Sequence, residues 1–470
     1  MHPSVAFLYL LSEWAVRFVM LVYVPQRRSP AAARTWLLLI FLLPWPGFLL
    51  YAAIGRIKFP AWRLARQRKV SALIHEWQRA HPVPAEAGGP GGHIPALVHA
   101  LGDFRALEGN TVELLPDYDA SIARIARDID EAHESVHLLY YIFADDDRGG
   151  LVVAALLRAK ARGVECRVLV DAAGSRHFAL TALLKRLRGA GIPAHEALPA
   201  GLFRRNAARF DLRNHRKVAI IDTRIGFVGS QNLVNPGFVA GYPNEELVAR
   251  VTGPVVLQLQ AVFLEDWFFE TGDLPAHPEA IELPAPTGSS LAQVLPSGPG
   301  YERENAQELL VHLFHLAGSR IVITTPYFVP DDPFLQALRT AVRRGVDVRL
   351  VVANPVDKWV MALAQRSYFD ELLDAGVRIH MYRPRFLHAK HVTVDDDLAI
   401  VGSVNMDIRS FALNAEMALL VYDPAVVTAM REVQERYFAD SIELTREAWA
   451  RRPLWRRVAQ NTARLADSLL

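Results

Sequence analysis

The order of apolar and polar positions divides the chain into an apolar start, a Pro/Gly-rich break and a long body in which strand-like and helix-like stretches alternate. Residues 5–24 are mainly apolar but carry Glu13 and Arg17, which lie four apart and share one helix face. Residues 35–55 carry no charge, and at about 1.5 Å per residue such a run crosses a hydrocarbon core of about 30 Å. This second run predicts a membrane segment that Pro44, Pro46 and Gly47 kink or make re-entrant. The first run lacks the basic start of a cleaved signal peptide, so it is kept as the other arm of a two-segment hairpin within residues 1–60. Its Glu13/Arg17 pair faces either the membrane interface or the helix bundle. Basic residues flank the second run on both sides, with Arg27, Arg28 and Arg34 before it and Arg56, Lys58, Arg63, Arg66, Arg68 and Lys69 after it. The favoured orientation leaves the large C-terminal part on the cytoplasmic side.

Residues 61–97 read as a basic stretch followed by a Pro/Gly linker, densest at 81–95. Beyond it the periodicity predicts helix Asp119–Ala132, strand Ser135–Ile142, helix Gly150–Arg162, strand Glu165–Asp171 and helix Thr181–Ala190. The order then repeats as strand Arg320–Thr324, helix Pro333–Arg344, strand Asp347–Ala353, helix Val360–Ala375 and strand Arg378–Met381. Alternating strands and helices written twice imply an α/β protein of two similar lobes with mixed sheets flanked by helices. The lobes are placed at 98–275 and, with a linker, 276–445, and a basic amphipathic tail follows at 446–470. Composition adds exclusions. A net charge of +2 over 470 residues, together with two membrane segments, argues against a nucleic-acid partner. The lone Cys166 excludes an internal disulfide, and no Cys/His cluster has zinc spacing.

The candidate chemistry lies in a pattern that the chain carries twice. Asn214-His215-Arg216-Lys217 leads to Asp222 and then Val228-Gly229-Ser230-Gln231-Asn232. His388-Ala389-Lys390-His391 leads to Asp395 and then Val401-Gly402-Ser403-Val404-Asn405, with seven positions at identical offsets. His and Lys two apart on a strand point to one face, so an imidazole and an ammonium converge. Imidazole suits nucleophilic or acid/base work near neutral pH, and ammonium suits a phosphate oxygen. Gly-Ser lets backbone approach a ligand closely, and Asn232 and Asn405 add donors, with Ser230 and Ser403 as weaker ones. Two such sets fit a phosphodiester held between them, and two lysines provide the positive charge that a metal otherwise brings. The duplication continues: Glu246 and Glu416 align, each eight residues before a Pro, and are candidates to orient the two imidazoles. Asp222 and Asp395 complete the two catalytic motifs and are expected to brace the fold by hydrogen bonds. His391 points to the opposite strand face and reads as structural.

These motifs, His-x-Lys, four residues, Asp, six residues, Gly-Ser and then Asn, resemble those of the phospholipase D superfamily. The runs Thr325-Pro326-Tyr327-Phe328-Val329-Pro330 and Asn405-Met406-Asp407-Ile408-Arg409-Ser410-Phe411 make the chain similar to bacterial cardiolipin synthases from the membrane segments to about residue 445. The resemblance implies two phospholipase D-like lobes in a bacterial inner-membrane protein, no cofactor, phosphatidylglycerol as donor and acceptor, and cardiolipin and glycerol as products. It implies a phosphohistidine intermediate with one His as nucleophile and the other as acid/base. The residues do not tell the two apart; His215 is taken as nucleophile and His388 as acid/base. One departure stands out. Tyr242-Pro243-Asn244-Glu245-Glu246 replaces a Trp-Arg-Asp type run, which leaves phosphatidylethanolamine, another polyol or water open as acceptor, and the same motifs serve a hydrolytic phospholipase D or a nuclease. Leu202, Phe203, Phe210, Phe328, Trp359 and Phe386 flank the motifs and are expected to touch acyl chains or to pack in the core. Arg446, Arg451, Arg452, Arg456, Arg457 and Arg464, with Trp449, Leu454 and Trp455, suit either a helix on anionic lipid or a solvated terminal helix. Both motif copies lie in one chain, so a complete site needs no dimer.

Overall fold

The computed structural model describes residues 3–28, 30–55, 59–81, 93–199, 212–274, 282–301 and 304–464. Helix α1 (Pro3–Tyr23) is unbroken, and among the described residues its Ser4–Tyr23 stretch is the helix long and apolar enough to cross a membrane. The expected segment at 35–55 is instead two helices, α2 (Pro30–Leu42) and α3 (Pro44–Ile54). Pro44 forces Leu43 out of the helical region, to φ −132° and ψ 80°, and restarts the chain as the first residue of α3. At 13 and 11 residues the two reach only about 20 and 16 Å, short of a bilayer core. They pack face to face: a Cβ added to Gly47 would lie 2.9 Å from the Ile40 Cα. The break expected at Pro44 is thus present, and the one unbroken helix of membrane-crossing length among the described residues belongs to the first run. Glu13 and Arg17 pair at 3.4 Å and face this bundle, where Arg17 Nε donates to the Phe41 carbonyl at the end of α2.

Helix α4 (Ala61–Ala80) is formed by the basic stretch that precedes the Pro/Gly linker. Its Arg66 donates to the carbonyls of Phe268 and Phe269, and Arg63 pairs with Glu270, so the basic residues fasten it to the body. The rest of the linker, residues 82–92, lies outside the described residues, as do Arg56 and Lys58. Helix α5 (His93–Gly102) starts ahead of the expected lobe boundary at 98, because Ile94, Val98 and Leu101 recur at helical spacing and pack on the second core.

The first lobe runs β1 (Leu107–Leu115), α6 (Tyr118–Asp130), β2 (Ser135–Tyr140), α7 (Gly149–Ala161), β3 (Glu165–Asp171), α8 (Leu180–Gly189), β4 (Ala194–Ala197), β5 (Lys217–Ile221), β6 (Ile225–Gly229), β7 (Asn244–Glu245), β8 (Val248–Thr252) and α9 (Val256–Thr271). The second runs β9 (Ser290–Ser297), α10 (Asn305–Leu316), β10 (Arg320–Thr325), β11 (Phe328–Val329), α11 (Asp332–Arg343), β12 (Asp347–Ala353), α12 (Trp359–Ser367), α13 (Phe369–Ala375) and β13 (Arg378–Tyr382). It continues through β14 (Phe386–Leu387), β15 (His391–Val394), β16 (Leu398–Gly402), β17 (Met406–Asp407), α14 (Ile408–Ala412), β18 (Glu416–Tyr422), α15 (Pro424–Ala439), β19 (Ser441–Leu444), α16 (Arg446–Ala450) and α17 (Leu454–Arg464). The expected helix Val360–Ala375 breaks at Tyr368, where its N–H bonds back only three residues to Gln365, so that Tyr368 and the adjacent Phe369 are both buried.

Repeated local chemistry builds the repeated elements. Asp117 and Asp331 each cap a helix by accepting the N–H three residues on, from Ala120 and Phe334. Ile122, Ile125 and Ile129 then face inward in α6, and Phe334, Leu338 and Ala341 do so in α11. The two lobes are not separate sheets. One 15-stranded sheet runs β19-β13-β12-β10-β15-β16-β18-β9-β1-β8-β6-β5-β2-β3-β4, joined across the middle by the antiparallel pairs β18–β9 and β9–β1.

Asp222 and Asp395 sit at the far ends of the motif strands and do not point at the site. Asp222 accepts from the backbone N–H groups of His133, Glu134 and Ser135. Asp395 accepts from those of Gly318, Ser319 and Arg320. Both hold left-handed backbone, φ 52° and 50°, a conformation that Asp and Asn tolerate better than other side-chain-bearing residues. Asp395→Ala is expected to lower the unfolding free energy by about 1–3 kcal/mol, and Asp395→Asn by less, with activity per folded molecule retained. Urea denaturation beside a turnover assay checks this.

Candidate functional site

Each motif histidine is held by the other lobe. The His215 N–H donates to the Ala415 carbonyl at 2.8 Å, and the Ala415 N–H donates to the Arg213 carbonyl at 2.8 Å. In the mirror arrangement the N–H groups of His388 and Ala389 donate to the Glu245 carbonyl at 2.8 and 2.9 Å, extending the parallel β14–β7 pairing. The residue after each of these contacts is a motif glutamate, so the side chains pair crosswise. His215 Nδ1 lies 3.0 Å from both carboxylate oxygens of Glu416, and His388 Nδ1 lies 2.7 Å from Glu246 Oε1. With Nδ1–H donated to a carboxylate, the lone pair of each ring sits on Nε2.

The Gly-Ser pairs create this crossing. A Cβ on Gly229 would stand 2.3 Å from the Leu247 carbonyl oxygen, and one on Gly402 would stand 2.2 Å from that of Met417. Ser230 Oγ accepts the Leu247 N–H and Ser403 Oγ accepts the Met417 N–H, both at 3.0 Å. Leu247 and Met417 directly follow Glu246 and Glu416. The close approach expected of a ligand is therefore made by the strand that carries the glutamate, and the serines fix its register rather than donate to a substrate. Asn232 Oδ1 accepts the Ile142 N–H and turns the chain out of β2, two residues before the expected end of that strand. Asn405 Nδ2 donates to Ser410 Oγ, which in turn donates to Glu416.

Lys217 Nζ and Lys390 Nζ each donate to the carbonyl of their own motif histidine, at 2.6 and 2.5 Å. Burial pushes Lys217 down to about 7 and Lys390 down to about 8, against the pull of Glu416 and Glu246. Burial, then the charges of Lys217 and Lys390, puts His215 well below the usual imidazole value. Burial also lifts Glu416 to about 7, against the pull of Lys217. His388 is lowered by burial while Glu246 pulls it back up; Glu246, though buried, is held below the usual carboxylate value by His388 and Lys390. The two halves are thus alike in geometry and unlike in charge.

Several side chains at the site carry no signal in the motif comparison. Tyr141 meets His215 edge-on at 4.8 Å with Lys217 Nζ 5.3 Å from its ring, and Phe238 meets His388 edge-on at 5.4 Å. Arg216, the variable residue of the first motif, is buried below the site; it donates to the Glu416 carbonyl at 3.0 Å and pairs with Asp266 at 2.6 Å. His391 is buried away from the site, beside Gln434, with its basicity depressed to about 3 by burial. Of the aromatic residues expected to touch acyl chains, Phe328 and Phe386 are core residues and Trp359 is 70% exposed, while Leu202, Phe203 and Phe210 lie outside the described residues. Among the described residues no three His, Cys, Asp or Glu side chains group as metal ligands would.

Comparison with known proteins gives consistent matches. A family model described as cardiolipin synthase, PLD-like domain matches residues 125–267 and 310–438, and one described as phospholipase D-nuclease N-terminal matches residues 10–56. Cardiolipin synthase A of Yersinia pseudotuberculosis serotype O:1b (strain IP 31758) is 34% identical over 473 residues, covering 98% of this chain and 97% of that protein. The same protein of Yersinia pestis bv. Antiqua (strain Angola) matches equally. Among solved structures, phosphatidylserine synthase of Haemophilus influenzae Rd KW20 superposes with a TM-score of 0.60 at 15% identity, over 80% of this chain and 99% of that one, and so shares the fold.

Proposed function

The chain belongs to the cardiolipin synthase family of phospholipase D-like enzymes, and on that premise we propose how its paired site moves a phosphatidyl group. It is a membrane-associated phosphatidyltransferase acting on phospholipids. The donor and the acceptor are both phosphatidylglycerol, the membrane is the bacterial inner membrane, and the two lobes face the cytoplasm.

The observation that carries the reading is the crossed His–Glu pairing, which presents two Nε2 atoms beside two buried ammonium groups. His215 Nε2 attacks phosphorus, the bond from phosphorus to the glycerol headgroup oxygen breaks, and protonated His388 gives that oxygen its proton. Glycerol leaves and a phosphatidyl–His215 adduct remains. A headgroup hydroxyl of a second phosphatidylglycerol then gives its proton to His388 and attacks phosphorus, the P–N bond breaks, and cardiolipin forms with both histidines restored. Lys217 and Lys390 stabilise the charge on the nonbridging oxygens throughout. The neutral environment of His215 favours the nucleophile, and the anionic Glu246 supports the imidazolium of His388.

Purified full-length protein mixed with phosphatidylglycerol vesicles, its lipids read by mass spectrometry, tests the proposal. Cardiolipin and glycerol in equal amounts are expected. Phosphatidic acid alone would make water the acceptor, and product carrying another added alcohol would replace phosphatidylglycerol in that role.

The lysine values give a pH dependence. Both lysines act as cations, and burial brings them to about 7 and about 8, so kcat/KM is expected to fall as pH rises through that range. A bound phosphodiester anion favours the ammonium form, so the alkaline limb of kcat lies at higher pH than that of kcat/KM. His215 stays neutral into mildly acidic solution. Initial rates measured from about pH 6 to 9 decide; a flat kcat/KM contradicts the role of the lysines.

A further inference from the structure

Helix α17 is fastened to the second lobe by one face only. Gln460 is buried and accepts from Arg452 Nε at 2.9 Å, while the Arg464 guanidinium lies 4.3 Å from the Tyr368 ring and 3.4 Å from Glu371. The opposite face exposes Leu454, Trp455 and Val458 at 72, 66 and 56%, spaced i, i+1, i+4 and so contiguous. Exposed Arg451, Arg456 and Arg457 flank this stripe, and no acidic residue occurs between Arg451 and Arg464. A helix that only needed solvent would place polar residues there.

The stripe has a neighbour that links it to the chemistry. Helix α12 packs along α17 and opens with Trp359, 70% exposed. The preceding Lys358 lies 5.1 Å from the Tyr327 ring, and its charge is among those that disfavour protonation of His215. Asp357 accepts the Tyr327 hydroxyl at 2.6 Å and fixes this rim. The start of α12 thus joins a charge felt at His215, from Lys358, to an exposed indole, Trp359, on the helix that packs against α17.

We propose that Leu454, Trp455 and Val458 of α17, together with Trp359 and the flanking arginines, rest in the headgroup layer of an anionic phospholipid bilayer and seat the mouth of the active site on it. The apolar side chains enter the boundary between headgroups and acyl chains, and the guanidinium groups meet lipid phosphates. This second contact, far in sequence from α1–α3, fixes the angle at which the catalytic lobes meet the membrane, so that a phosphatidylglycerol headgroup reaches Lys358 and the two histidines without leaving the bilayer. The proposal rests on the reading that the substrate is a membrane phospholipid.

Two measurements on the full-length protein test it. Cys166 is buried, so Val458→Cys supplies the accessible thiol for an environment-sensitive fluorophore. In phosphatidylglycerol vesicles its emission is expected to shift to the blue and to be quenched by lipids with nitroxide-labelled chains. The triple variant Leu454→Glu/Trp455→Glu/Val458→Glu is expected to turn over vesicle phosphatidylglycerol about tenfold more slowly or worse, since a charge at this depth opposes insertion, while monomeric short-chain phosphatidylglycerol is turned over at the unaltered rate. A label that reports water while cardiolipin forms normally overturns the inference and leaves the proposed function standing. So does a label shielded only by a second protein molecule, or equal loss on both substrates. A label that inserts while no cardiolipin forms supports the surface and counts against the proposed function.

Discussion

His215→Gln and His388→Gln each reduce cardiolipin formation by about a thousandfold or more, the scale expected when a nucleophile or a general acid is removed from a preorganised site. Both side chains are buried against a carboxylate of the other lobe, and Gln keeps a polar group near each Glu, so the loss reflects chemistry rather than unfolding. The two variants separate on a phosphatidyl ester of p-nitrophenol, whose leaving group departs without a proton. His388→Gln still releases one equivalent of nitrophenolate in a burst and retains the phosphatidyl group on the protein, because His215 attacks but no base activates the acceptor. His215→Gln gives no burst. A burst from His215→Gln and none from His388→Gln would exchange the two roles.

Arg216→Met is expected to cost about 3–5 kcal/mol of stability, as removal of one partner from a buried ion pair does. Asp266, 4% exposed, would then stand without the guanidinium that now meets it at 2.6 Å. Neighbouring Glu265 contributes less, because burial already raises it to about 8 and leaves it mostly protonated near neutral pH, with Tyr301 donating to it. Arg216→Met/Asp266→Leu removes the stranded charge and should recover most of the stability. It should not recover activity, because the Glu416 carbonyl, 3.0 Å from Arg216 Nε, loses its donor and with it the fixed position of the carboxylate behind His215. Chemical denaturation and turnover, measured on both variants, separate the two effects. In the second lobe the equivalent slot holds Ala389 in apolar packing, so this device serves only one half of the site.

The sequence was most legible where one physical signal governed a stretch. Strands Glu165–Asp171 and Asp347–Ala353 were read to the residue because a glycine turn precedes each run of branched apolar residues. The duplication, followed past the motifs, named the histidines and the glutamates that the structure brings together. Position along the chain does not encode partnership, however, and Glu246 and Glu416, each aligned with its own lobe, serve the histidine of the other. Strands β1 and β9 went unread since Gly109 and Asn110 interrupt one and Pro296 the other, yet these two strands join the lobes. Helix α4 reads only as a basic stretch because its arginines mask its inward face. The break at Pro44 was legible because proline cannot continue a helix, whereas the lengths of the two helices on either side of it were not.

The crossed pairing also makes each half of the site depend on a stretch of chain that is made at a different time. Glu416 follows His215 by 201 residues. A nascent chain whose first lobe has emerged beside the bilayer carries His215 and Lys217 but neither the carboxylate that orients the imidazole nor the partner histidine. Both His–Glu contacts therefore exist only once residues of both lobes have been made.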